Sequence, residues 1–190
     1  MGPGSRARGA LTSSRSRPVC FAPSHRKVPL VAHSALALTR AGVGAAWQGA
    51  EVDLAEVEDL DGATDLLREG GATGALFVEE DDEWFGVVRV EGDDDARVFL
   101  SDRRVLETSD LAGRLFADAL PPVLPGDDDD ESSRPEIEPA GDADLLADLG
   151  TSGGRVMELT AEEGLLPGDV IAALVESAGG TDVVEALRGA

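Results

Sequence analysis

The stretch Thr73–Asp102, TGALFVEEDDEWFGVVRVEGDDDARVFLSD, decides the fold. It holds three β-rich runs, Ala75 to Val78, Trp84 to Val90 and Arg97 to Leu100. The polar stretches EEDD and EGDDD separate them and read as turns, so an antiparallel meander is expected. In the middle run Trp84, Gly86, Val88 and Val90 fall on one face and Phe85, Val87 and Arg89 on the other. Both faces carry apolar side chains, which predicts a central strand.

Working outward, HSALALT (His33 to Thr39) alternates small and large apolar residues and reads as a strand. After the glycines at 42 and 44, AAWQGAEVDL (Ala45 to Leu54) pairs back on it as a hairpin. Leu60, Ala63, Leu66 and Leu67 mark one helical face, stopped at Gly70 and Gly71. Beyond the meander, Ser109 caps a second helix carrying Leu111, Leu115 and Ala119, closed by Pro121 and Pro122. The order β-β-α-β-β-β-α predicts an α+β domain over residues 31–122. It is a two-layer antiparallel sheet with two helices on one face.

Residues 123–141 form an acidic linker with five consecutive acids, Asp127 to Glu131. A small helical C-terminal module is expected over 142–190, with too little core of its own to stand alone and so packed on the α+β domain or on a partner. Its helices are Asp142 to Gly150, one opening at Thr160 with Glu163 in capping-box spacing, one opening at Pro167 and ending at Gly179–Gly180, and a last short one. Residues 1–30 read as a basic extension outside the fold. The segment has the Arg- and Ser-rich, acid-poor signature of a transit peptide, and also the charge of an RNA-binding arm. The simplest reading is a disordered extension, of the kind a start called too far upstream would add.

Charge divides the chain of 190 residues. Residues 1–50 carry a net +7 and no acid, whereas residues 51–190 hold nine basic residues against all 38 acids, a net −29. Such a body repels phosphates, so direct binding of nucleic acid by it is not expected. Cys20 is the single cysteine, which excludes an intramolecular disulfide and fits a reducing cytoplasm. The longest apolar run, Val28 to Leu38, is too short to span a membrane.

Little in the sequence carries chemistry. The zinc, thiol and serine-triad chemistries need Cys or His, and only Cys20, His25 and His33 exist. There is no P-loop and no dinucleotide fingerprint. The aspartate runs lack the ligand spacing of a calcium loop and read as solvated charge. No catalytic, cofactor-binding or metal residue is assigned.

The segments WQGAEVDLAEVEDLDGATDLLRE, GALFVEEDDEWFGVVRV, RVFLSD and GDADLLADLG together resemble the actinobacterial tRNA adenosine deaminase-associated proteins, over roughly Val31 to Leu187. The resemblance implies Val31 as the true start. It also implies a cytoplasmic, non-enzymatic accessory protein, partner or regulator of the deaminase that makes wobble inosine. The deaminase's own H-x-E and P-C-x-x-C zinc signature is missing here. At GTSGGRVMELT the chain looks looser than the helical segment of the family. Two rival readings remain: an acidic mimic of nucleic acid that competes for a tRNA-binding surface, and a metal-dependent enzyme using the aspartate run.

Overall fold

A computed structural model describes residues 33–42, 44–121 and 137–183. The basic segment 1–30 and the acidic run Asp127 to Glu131 lie outside the described residues. The described residues fall in one compact unit.

Its centre is a six-stranded, wholly antiparallel sheet of order β2-β1-β3-β4-β5-β6. The strands are β1 (His33–Arg40), β2 (Gln48–Glu51), β3 (Thr73–Glu80), β4 (Trp84–Glu91), β5 (Arg97–Leu100) and β6 (Ala140–Gly141). The meander occurs as expected, with Val78 opposite Gly86 and Val88 opposite Val98. Strands β3 and β4 are central, and seven of the eight residues of β4 are buried, which is why both of its faces are apolar.

Helices α1 (Leu60–Gly70) and α2 (Asp110–Phe116) cover one face. Asp59 caps α1 by accepting from the Gly62 N–H at 2.9 Å, and Ser109 caps α2 by accepting from Ala112 N–H at 3.0 Å. Their apolar stripes, including Leu67, Leu111, Leu115 and Phe116, pack on Leu76, Trp84, Val88 and Leu100. Trp84 and Phe116 meet edge to face with centroids 6.2 Å apart. Gly86 makes room for this pair: a Cβ there would lie 2.3 Å from Phe116 Cζ.

The expectation of two layers is corrected. The opposite face, with Leu38, Phe77, Phe85, Val87 and Phe99, is covered by a third layer built from the C-terminal segment. That layer contains a 3-10 turn over Ala143–Leu149, α3 (Gly153–Thr160) and α4 (Pro167–Ser177). The physical reason is the alternation already noted on β4. A sheet with apolar residues on both faces must bury both, and residues 142–183 supply the matching surface. The looser reading of GTSGGRVMELT is also corrected. Ser152 accepts from Arg155 N–H at 3.4 Å and opens α3, so Thr160 ends a helix and does not cap one. Residues 140–141, placed in the linker, form β6 against β5.

Candidate interaction surfaces

Arg89 positions the third layer. Its side chain is fully buried on the middle strand. Nη1 donates to the Gly74 and Val90 carbonyls at 3.1 and 2.8 Å. Nη2 donates to Glu91 at 2.6 Å and to Asp148, in the 3-10 turn, at 2.9 Å. Sequence reading placed Arg89 on the correct face but saw no role for it. At the other end of the layer, Trp47 Nε1 donates to the Ala178 carbonyl at 2.8 Å, and the Arg40 guanidinium lies 4.6 Å from the centre of the Trp47 ring.

The loop between α3 and α4 meets the β3–β4 turn at a cleft of about 610 Å³. Its apolar side is Phe85, Ile137, Leu165, Pro167 and Val170. Its polar side brings together five carboxylates from three parts of the chain: Asp82 and Glu83, Asp102, Glu162 and Glu163. Among the described residues no Lys or Arg lines it. Asp102 is engaged by Arg104 at 2.5 Å. Just outside the cleft, the exposed side chain of Leu166 begins α4.

The β3–β4 turn that supplies Asp82 is a tight one, closed by Glu83 N–H to Glu80 O at 3.0 Å. Asp81 and Asp82 both have positive φ, 54° and 57°. Two consecutive left-handed residues match the right-handed twist of a hairpin, and aspartate tolerates that region better than most residues. Beside the turn, partial burial holds the Glu79 carboxyl above its usual range, with the neighbouring Asp82 adding to the effect. Ser109 and Trp84 both donate to Glu80, at 2.5 and 3.1 Å, and fix the other side of the turn.

The calls on chemistry-bearing residues map as follows. Cys20 and His25 lie outside the described residues, and His33 is exposed at the start of β1. Among the described residues no cluster of three or more His, Cys, Asp or Glu side chains has the arrangement of a metal site. None of their helices is long and apolar enough to cross a membrane. The cleft itself was not legible, because its carboxylates are remote in sequence and each alone reads as solvated charge.

Fold and surface thus define an acidic α+β domain with a carboxylate-lined cleft. The family model of the Rv3753c-like tRNA adenosine deaminase-associated proteins matches residues 35–180, and the chain belongs to that family. Comparisons with curated proteins and with solved structures gave no match.

Proposed function

We propose that this protein is a non-catalytic partner of tRNA adenosine deaminase, docking through its acidic surface on the basic surface with which that enzyme holds tRNA. Family membership is the observation that carries the reading. Charge supports it: complementary potentials speed encounter and fix orientation, and a body of net −29 presents carboxylates where a tRNA would present phosphates. The deaminase reaction needs a zinc-bound water held by His and Cys ligands. One cysteine and two histidines near the N-terminus do not supply that set, so the chemistry belongs to the partner.

The test is co-purification of the full chain with the deaminase of the same organism, across a salt titration and with or without tRNA. A complex that weakens with salt and persists with tRNA supports an accessory subunit. A second reading, mimicry of nucleic acid, draws on the five carboxylates gathered in the cleft. It requires tRNA to displace the protein competitively. Absence of any complex at low salt refutes both.

A further inference from the structure

We infer that strand β2 is a docking edge, which takes an extended, Arg- or Lys-bearing segment of a partner protein as a further strand of the sheet. The inference holds for whichever protein supplies the segment, and so goes beyond the partnership proposed above.

Among the described residues β2 is bonded on one side only, to β1. Val52 N–H donates to the Ala35 carbonyl at 3.0 Å, and the register places Ala50 opposite Ala37 and Gln48 opposite Thr39. Antiparallel pairing alternates, so residues 48, 50 and 52 turn their backbone groups toward β1. The N–H and C=O groups of Gly49 and Glu51 therefore point away from the sheet. Exposed edges of this kind are templates for strand addition, and folds blunt them with proline, bulges or very short strands. The opposite edge is blunted in this way: β6 has two residues and follows Pro139. The four residues of β2 include no proline, and three of them are exposed.

The surface beside this edge selects the occupant. A groove of about 630 Å³ runs between β2 and α1. Val52, Val57 and Leu66 form its apolar side, Asp65 and Glu69 its charged side, and among the described residues no Lys or Arg lines it. Among the described residues these two carboxylates make no hydrogen bond or ion pair. Side chains of an added strand alternate between faces, so every second one enters the groove toward α1. Apolar stems with cationic ends satisfy both sides of it, as the side chains of Arg and Lys do. A nucleic acid offers neither backbone N–H groups for the edge nor positive charge for the groove. Main-chain pairing supplies affinity in such complexes, and the groove supplies selectivity.

The probe is a blocked peptide of about eight alternating Arg and Val residues, titrated into the isotope-labelled full chain and followed by NMR. Two further peptides carry N-methyl groups on the odd or on the even residues, so that one of them loses the donors that face β2. The expected result is binding that shifts the Gly49 and Glu51 amides and protects them from exchange. One methylated peptide should bind like the parent and the other about tenfold or more weakly, the loss of roughly one backbone hydrogen bond. Glu51→Pro removes an outward N–H while keeping the bonds to β1, and should weaken binding similarly. Asp65→Asn with Glu69→Gln should reduce both affinity and its salt dependence. Should Glu51→Pro disturb the fold, the methylated pair still decides. The inference is overturned by no binding, by equal behaviour of the two methylated peptides, or by shifts spread over the acidic surface without Gly49 and Glu51.

Discussion

Replacing Arg89 with Ala tests how the third layer is held. The side chain makes four hydrogen bonds, two of them to carboxylates, from a position fully shielded from water. Its Nε is buried without a partner, so the site is not an ideal one for the charge. Truncation frees Glu91 and Asp148, which are 42% and 44% exposed and rehydrate readily. The loss is therefore dominated by the cavity left by the stem and by the vanished charge-assisted bonds. Together these amount to about 3–5 kcal/mol, the scale of truncating a large buried side chain that also makes charged hydrogen bonds. For a domain of this size that is a fall in Tm of roughly 6–20 °C. Two tryptophans make the assay layer-specific. Trp84 packs with α1 and α2, whereas Trp47 is bonded to the end of α4. Urea titrations of Trp84→Phe and Trp47→Phe backgrounds each report one side of the sheet. Arg89→Ala should lower the midpoint in both, and the Trp47 signal should change first. A loss under about 1 kcal/mol, or a Trp84 transition that precedes that of Trp47, refutes the reasoning.

Three further outcomes are expected. Asp82→Gly relieves a positive-φ aspartate in the β3–β4 turn and should stabilise by about 1 kcal/mol in thermal melts; it should also bring the Glu79 titration down toward its usual range, read by carboxyl NMR. Gly86→Ala drives a methyl into Phe116 and should cost about 1–3 kcal/mol in denaturant unfolding. Acid should act in opposite senses at two carboxyls. Arg97 bonded to Asp142 at 2.7 Å holds that carboxyl below its usual value of 3.8, so its contribution is present above pH 3.8 and is lost as pH falls through the lowered folded value. Glu79 is raised above 4.5, so its contribution is present below pH 4.5 and is lost as pH rises through the raised folded value. Glu79→Gln should therefore stabilise at neutral pH with the gain closing in acid, and Arg97→Gln should cost up to about 1 kcal/mol near neutrality, the pair being two-fifths exposed on each side, and nothing in strong acid.

Period and punctuation made the sheet legible. Alternation marked β1, β4 and β5 to within a residue, and the cap at Ser109 and the first-turn proline Pro167 opened helices where expected. Family likeness was equally legible, and the family model matches residues 35–180. Three features were hidden for physical reasons. Gly153 and Gly154 disfavour a helix locally, and the cap at Ser152 with burial of Val156 and Leu159 overrides them. A two-residue strand such as β6 has no periodicity to read, because its pairing with Phe99 and Leu100 is a long-range event. Arg89 looked like a polar interruption of a strand, since its partner Asp148 lies 59 residues away. The carboxylate cleft was illegible for the same reason: proximity across the fold leaves no local pattern.

The three-layer arrangement also sets a timetable for synthesis. Strands β1 to β5 and helices α1 and α2 all emerge before residue 117, and one face of the sheet closes with them. Leu38, Phe77, Phe85, Val87 and Phe99 wait for Leu145 to Val175 to leave the ribosome. At ordinary elongation rates of about 5–20 residues per second, that interval lasts several seconds. Throughout it, a nascent chain that already owns most of its sheet shows the cell an uncovered aromatic face, so a messenger cut short before codon 142 yields a client for chaperones instead of a smaller working protein.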